Sequence, residues 1–485
     1  MDVKIGKMDG IFLVLCLLLG ILGEEAFFRS EIGISYILFI VAFYLVFFWR
    51  FRGFPFSHQR FGYLILSCIW LLAASFFLYD NMFFHLLNIM VIPVLVIFHL
   101  VLVTGPKKMY WNQWTFIPYL FSRLLAAMKY NVSIMGLFSK GIKGGVDDSK
   151  YLVWKKILIG ILISLPVLFV VLNLLMAADS QFSRIIGGIP QWFHKVDAET
   201  VMRFIITFVY TFAFFGLMQV LFHKQIKAIK QQWNIQTPQM DAVIAITVLV
   251  LFNLVYLLFA LVQFKYLFSG TLKGDFTYAQ YARKGFFELL FVSLINLSIT
   301  IMVVNFVHRA TVVTKRLTQF LQTILILSSG VMLASASMRL SMYEEAYGFS
   351  FIRVLSHTFM IFLAVIFLYT LIKIWVEKLS LFHFYFISAL IYYTAINIIN
   401  LNQIVVKQNI TRYEQTGKID VHYLNSLSST GVLGLIELYE KDQYIGDLRK
   451  VLVERKNEMI QDNTPWQAYN LKKKEVENKL KGLNL

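Results

Sequence analysis

The sequence predicts an all-α, polytopic integral membrane protein with about eleven transmembrane helices and a small helical C-terminal tail. The first reason is composition: the 485 residues are 58% hydrophobic and only 15% charged, whereas soluble domains usually carry about 25% charged residues. The second is that the apolar residues form runs long enough, or nearly so, to cross roughly 30 Å of hydrocarbon. Each run should be helical, because lipid offers no partner for free backbone groups.

The predicted spans follow one another closely, except for one long interval after the fourth. The first span is the weakest, because Glu24 and Glu25 cut it short. We assign residues 1–404 to the transmembrane domain and 405–485 to the tail. The spans lie near residues 10–28, 35–50, 62–79, 83–104, 157–178, 201–222, 241–263, 286–307, 319–339, 354–375 and 381–402.

The basic residues indicate how the chain is oriented. The net charge is +17, and the Lys and Arg side chains lie in loops between apolar spans, where they suit anionic lipid rather than nucleic acid. They are concentrated in alternate loops. The positive-inside rule therefore predicts a cytoplasmic N-terminus in a multi-pass protein of the cell membrane. With eleven spans the tail is extracytoplasmic, and one span more or fewer would move it to the cytoplasm.

The interval at about 105–156 is predicted to be an amphipathic helix on the inner membrane surface. Arg123 and Lys129 interrupt its apolar residues, which argues against a twelfth span and favours an interfacial position.

The tail has frequent, nearly balanced charges and predicts about three helices. In "TPWQAYNLKKKEVENKLKGL", Thr464 is the predicted N-cap and Pro465 the first helical residue.

Polar side chains accumulate on the predicted outward face. A simple interpretation is an aromatic belt of tyrosines with snorkelling arginines. The sharper one is a polar vestibule in which arginines bind an anionic group such as phosphate or carboxylate, while acids balance charge or move protons. The predicted ligand-binding residues are Asp179, Arg203, Tyr281, Glu288, Arg339, Glu344, Tyr347 and Arg353.

Four motifs resemble the recurring motifs of an uncharacterised bacterial membrane family, domain of unknown function 4173, which is related to domain of unknown function 4153. They are "AADSQFSR", "TYAQYARKGFFELLFVSLIN", "RLSMYEEAYGFSFIR" and "NITRYEQTGKIDVHYLNSLS". The resemblance runs from about residue 179 to 428. It implies a membrane fold and a bacterial origin but no activity. Within the last motif, the tail residues of interest are Asn409, Tyr413, Asp420 and Tyr423.

Three functional classes remain open. We favour a non-enzymatic sensor or assembly protein whose tail captures an envelope protein partner. The first alternative is a transporter or flippase for an anionic or lipidic cargo. The second is a lipid-linked glycosyltransferase-like enzyme with Glu24 or Glu25 as general base or metal ligand.

The sequence has no Gly-rich phosphate loop, no HExxH and no CxxC pair, so we predict no cofactor and no metal site. The predicted partners are the lipid bilayer, the envelope protein and an anionic or lipid-linked ligand, with no nucleic acid.

Overall fold

The computed structural model describes residues 6–107, 109, 111–113, 115–141, 164, 198–223, 240–263, 286–307, 311–461 and 464–484. These residues are almost entirely helical. The predicted span at 157–178, together with Asp179 and Tyr281, falls essentially outside them. In the order α1 to α16, the described α-helices are Lys7–Phe28, Ile34–Arg50, Gln59–Leu78, Met82–Thr104, Phe116–Gly141, Ala198–His223, Ala242–Gln263, Phe286–Phe306, Val312–Tyr347, Phe351–Trp375, Leu381–Ile398, Leu401–Thr416, Val421–Asn425, Ser428–Lys441, Leu448–Gln461 and Leu471–Gly482.

Nine helices in the described ranges are long and apolar enough to cross a membrane, namely α1, α3, α4 and α6 to α11. Helix α2 is apolar but shorter, with 17 residues. The prediction of an all-α, multi-pass membrane protein is therefore confirmed. Most helix ends lie within a few residues of the predicted span ends.

The membrane helices form two packed groups joined by α11. The first group buries residues of α1 to α6 together in one apolar core, and the second packs α7 to α10 around two smaller cores. Helix α11 contacts both α3 and α10. Close approach depends on small residues: a Cβ at Gly20 of α1 would lie only 2.6 Å from the Thr207 carbonyl oxygen of α6, as at other tightly packed membrane helix pairs.

Helix α9 is longer than the sequence predicts. The stretch 339–353 was expected to be a turn after a span ending at 339, but the helix continues to Tyr347 because Leu340 and Glu344 keep the buried face of the helix going. The turn is confined to residues 348–350. Gly348 adopts φ +83°, and its N–H donates to the Glu344 carbonyl at 2.8 Å, a C-terminal geometry that favours glycine.

The tail packs against one end of the bundle, which we call the tail-side end. This end comprises the α1–α2 loop (29–33), the α3–α4 turn (79–81) and the α9–α10 turn (348–350). Gly33 N–H donates to the Gln467 carbonyl at 2.9 Å, and Ile34 N–H to the Tyr469 carbonyl at 3.0 Å. The apolar core of the tail also includes residues from α4, α10 and α11, so tail and bundle share a buried core.

The described tail contains five α-helices, α12 to α16, and a 3-10 helix, Trp466–Ala468, rather than about three helices. The predicted start at Thr464 and Pro465 is wrong, since Pro465 precedes the 3-10 helix. Helix α16 begins instead after Asn470, whose side-chain oxygen accepts from Lys472 N at 2.9 Å. Asparagine is a strong N-cap, and it sets this start.

A helix does occupy the interval after the fourth span. Helix α5 packs against α6, where Asn131 donates to the Phe212 carbonyl at 2.8 Å. Arg123 is buried on this face, and the opposite face exposes apolar side chains such as Phe121 and Leu125. Its predicted position on the inner membrane surface stays a prediction.

Candidate functional site

A cavity of about 570 Å³ lies between the bundle and the tail at the tail-side end. Its volume lies within the range of small-molecule sites. The α1–α2 loop, α3 and α4 form its bundle wall, and α13 to α16 with the 3-10 helix form its tail wall. The lining residues are Glu31, Ile32, Phe76, Asp80, Met82, His85, Ile89, Asn425, Ser426, Ser428, Ser429, Val432, Arg455, Glu458, Met459, Ala468, Asn470 and Lys473.

Helix α4 forms the apolar part of the lining. Met82, His85 and Ile89 line the cavity, and their spacing of three and four residues places them on one helix face. They extend over about 10 Å of helix length at 1.5 Å per residue. Met82 is 80% exposed and Ile89 45% exposed. His85 is fixed by a stack on Phe76, with ring centroids 4.3 Å apart. The cavity therefore extends along an exposed apolar face of α4, a helix long enough to span a membrane.

The tail wall contributes a positioned guanidinium. Arg455 of α15 donates through Nε to the Asn425 side-chain oxygen at 2.8 Å, and its Nη1 lies 3.0 Å from a Glu458 carboxylate oxygen. Asn425 ends α13, so this contact joins α13 to α15. The guanidinium is thereby held at the cavity with its charge matched by Glu458.

Two contacts between the tail and the bundle border the cavity. Lys473 of α16 forms an ion pair with Glu31 of the α1–α2 loop. Asn470 donates to the Phe76 carbonyl near the end of α3 at 2.8 Å. These contacts hold the start of α16 against the bundle, so the cavity exists only while the tail is docked.

Asp80 differs from the other acids of the cavity. Its carboxylate accepts a hydrogen bond from Ser429 N–H at 2.8 Å, and so it caps the first turn of α14 from the bundle side. A carboxylate is favoured at a helix N-terminus. Within the described ranges, no Lys, Arg or His nitrogen pairs with Asp80 within 4 Å. Of the three cavity carboxylates, Asp80 alone is without a cationic partner there.

A family model supports the relationship suggested by the motifs. The model described as Domain of unknown function (DUF4153) matches residues 66–438. The chain belongs to this family. No curated protein and no solved structure matches the chain. The matched DUF4153 region includes Asp80, His85 and Ser429 of the cavity, whereas Arg455 and Lys473 lie beyond it.

The described residues that were predicted from the sequence of this DUF4153 protein fall into separate groups. In the first, Glu24 is buried 3.5 Å from Arg203 Nε, and Arg203 also pairs with Glu199. Glu25 lies 2.8 Å from Arg29 Nη1 and accepts from Gln467 Nε2 at 2.7 Å. The acidic pair after the first span is therefore engaged in ion pairs and reaches the tail.

The second group surrounds the α9–α10 turn. Glu344 is buried, with a carboxylate oxygen 3.0 Å from His357 Nε2. Arg353 donates to the Gly348 carbonyl and stacks over the Tyr343 ring at 4.2 Å. Tyr347 is exposed.

The remaining two predicted residues lie apart from that turn in sequence. Arg339 is buried within α9, and Glu288 is exposed in the first turn of α8.

Two residues of the last sequence motif, Asn409 and Tyr423, hold the α9–α10 turn in place. Asn409 binds both backbone groups of Phe349, accepting from its N–H at 3.1 Å and donating to its carbonyl at 2.8 Å. The Tyr423 hydroxyl accepts from Phe351 N–H at 2.8 Å, and partial burial raises the pKa of Tyr423.

The two other motif residues act within the tail. Tyr413 donates to Asp442 at 2.9 Å, which raises the pKa of Tyr413. Asp420 caps α13 by accepting from Tyr423 N–H at 2.8 Å. These contacts give all four motif residues structural roles, and their role in binding stays a prediction.

The cavity lining includes none of the residues singled out from the sequence. A local signal for it does exist, because "LYDNMFFH" places one acid between two spans and a histidine five residues later. The decisive partner, Ser429, lies 349 residues further along the chain. In the described part of the chain, no three His, Cys, Asp or Glu side chains are grouped to hold a metal ion.

Proposed function

We propose that this membrane protein is a receptor for an amphiphilic ligand. The ligand's polar headgroup would occupy the cavity between bundle and tail, and its apolar part would lie along α4. The observation that carries this proposal is the gradient in the lining: charged side chains border the tail, whereas Met82 and Ile89 are apolar and exposed on α4, a helix long enough to span a membrane. A ligand drawn from the bilayer has this distribution of polar and apolar groups.

The docking of the tail would report whether a ligand occupies the cavity. A ligand that touches both walls binds only the docked arrangement, and binding to one state shifts the equilibrium toward it. The protein would then act as a sensor, with the docked tail presenting one surface to an envelope protein partner.

The receptor requires a defined orientation. We propose that the N-terminus is cytoplasmic, that the tail is extracytoplasmic and that the protein resides in the cell membrane. Because of the four motifs quoted above, we also propose that the chain belongs to the related bacterial group described as domain of unknown function 4173.

Cysteine labelling tests the proposed orientation. Tyr444 is 97% exposed in the tail, and the native cysteines Cys16 and Cys68 are buried. An impermeant maleimide should label Tyr444→Cys on intact cells. Labelling only after permeabilisation would reverse the orientation.

Filling the apolar part of the cavity tests the receptor. Ile89→Trp should abolish co-purification of lipid with the full-length protein, because the indole occupies the space along α4. Leu86→Trp is the matched control: Leu86 lies on the same helix, is 66% exposed and is not part of the lining. Equal lipid retention by both variants would refute the receptor.

Transport of the same ligand is the second candidate. The buried side-chain oxygens of Asn253, Asn296 and Gln322, on α7, α8 and α9, have no hydrogen-bond partner among the described residues. Unsatisfied polar groups in the hydrocarbon region are costly and often mark a pathway. Gln322→Leu should slow lipid translocation in proteoliposomes if this candidate is correct. No translocation by the unmodified protein would leave the receptor as the function.

A further inference from the structure

The charges around the cavity do not balance. Lys473 pairs with Glu31, and Arg455 lies 3.0 Å from a Glu458 carboxylate oxygen. These two cations are matched, and Asp80 remains as a third carboxylate. Among the described residues, Asp80 accepts from the Ser429 N–H at the start of α14 and interacts electrostatically with the His85 ring, but it forms no ion pair with a Lys or Arg side chain. The lining thus carries one more negative than positive side chain.

We propose that the headgroup accepted here carries a protonated primary amine, as in a zwitterionic aminophospholipid, and that Asp80 is the acceptor for this ammonium group. This assignment rests on the proposed receptor function. An ammonium group has three N–H donors, and a charged donor on a carboxylate gives a strong hydrogen bond. Ser426, Ser428 and Ser429 also line this part of the cavity and provide hydroxyl oxygens as further acceptors.

The rest of a zwitterionic headgroup also fits the lining. Its phosphate would lie toward Arg455 and Lys473, the two cations on the tail wall. A headgroup with the same phosphate but no amine would add negative charge to a lining that already has an excess of it. A quaternary amine would match the charge but has no N–H to donate. The expected order of affinity is therefore primary amine first, quaternary amine second and glycerol headgroup last.

The structure offers a substitution that removes the charge and keeps the cap. Asparagine is as good an N-cap as aspartate, so Asp80→Asn retains an oxygen for Ser429 N–H and preserves the docking of α14. Asp442→Asn is the matched control. Asp442 accepts from the Tyr413 hydroxyl at 2.9 Å and from Tyr444 N–H at 3.0 Å, and it is absent from the cavity lining.

The experiment titrates delipidated, full-length protein with dihexanoyl phosphatidylethanolamine, phosphatidylcholine and phosphatidylglycerol, and counts bound lipid by native mass spectrometry. The unmodified protein and Asp442→Asn should bind the ethanolamine lipid at least about tenfold more tightly than the glycerol lipid, as expected for one charged hydrogen bond. Asp80→Asn should lose this preference.

The outcomes separate the two proposals. If all three lipids bind equally to the unmodified protein, and Ile89→Trp abolishes that binding, the receptor stands and the amine assignment is overturned. A retained ethanolamine preference in Asp80→Asn also overturns it. If no lipid binds the unmodified protein, the receptor proposal itself fails. Should Asp80→Asn not fold, the headgroup preference of the unmodified protein still decides for or against the amine.

Discussion

The two ends of the membrane bundle use charged side chains in opposite ways. At the end remote from the tail, Arg50 of α2 contacts Asp9 of α1 at 2.6 Å and the Gln219 side-chain oxygen of α6 at 2.8 Å, and Gln219 returns a hydrogen bond to Asp9 at 2.8 Å. All three side chains are buried. At the tail-side end, charged groups surround a cavity, and among the described residues the Asp80 carboxylate forms no ion pair.

The charged cluster at the remote end fixes the helices to one another, whereas the charged groups at the tail-side end are placed to bind a ligand. The Asp9–Arg50–Gln219 cluster joins three helices, and the Arg50 guanidinium also lies over the Phe222 ring at 4.3 Å. Its members use one another as partners, which fixes helix positions without providing space for a ligand. At the tail-side end, backbone hydrogen bonds at Gly33 and Ile34 and side-chain contacts such as that of Asn470 with the Phe76 carbonyl hold the tail on the bundle. These contacts border a cavity instead of filling it.

The largest expected effect comes from breaking the closed cluster. Arg50→Ala should leave the Asp9 carboxylate buried without its guanidinium, a change that typically costs about 3–5 kcal/mol. Arg52 lies two residues away and is exposed, so Arg52→Ala is the matched control and should cost little. Thermal unfolding of both variants in detergent measures the difference. Equal melting temperatures would show that the cluster does not stabilise the bundle.

The second-largest expected effect comes from disturbing the backbone contact between the tail and the bundle at Gly33. A Cβ at Gly33 would lie 2.5 Å from the Tyr469 carbonyl oxygen, and backbone atoms cannot move away as a flexible side chain can. Gly33→Ala should therefore cost about 1–3 kcal/mol through overpacking and loosen the tail. The control is Gly10→Ala, because a Cβ at Gly10 of α1 has no atom within 4 Å.

Limited proteolysis at residues 464–470 measures the loosening. We expect faster cleavage in Gly33→Ala and unchanged cleavage in Gly10→Ala. Cleavage at the same rate in both variants would mean that the tail docks by other contacts.

The fold class was predictable because it depends on local composition. Long apolar runs leave the chain no soluble alternative, and the span at 83–104 matches α4 almost to the residue. The end of the ninth span was missed for a physical reason. Polar residues at 339–347 suggest a turn when counted by hydropathy, yet Glu344 and Arg339 continue the buried face of α9.

The cavity was not predictable, because it forms between segments that are far apart in the sequence. In the sequence, Asp80 is recognisable only as a residue of a short turn and Ser429 only as a residue at the start of a helix. The docked tail brings the two residues together. The predicted arginines were selected because charge in an apolar setting is conspicuous. Arg203 instead pairs with Glu24 and Glu199. Arg353 donates to the Gly348 backbone carbonyl.

The smallest expected effect tests whether the tail motif belongs to docking. Asn409→Ala removes the acceptor for Phe349 N–H and the donor to its carbonyl. Both groups are only partly buried, so water can replace the side chain and the cost should be about 1 kcal/mol, near the net value of a hydrogen bond. Gln408→Ala, at an exposed neighbouring position of α12, is the control. The melting temperature of Asn409→Ala should fall below that of the control, while ethanolamine-lipid binding is retained because residue 409 is absent from the cavity lining. Loss of lipid binding without loss of stability would instead mean that Asn409 takes part in ligand binding. The distinction between a docking role at the α9–α10 turn and a binding role at Asp80 would then no longer hold.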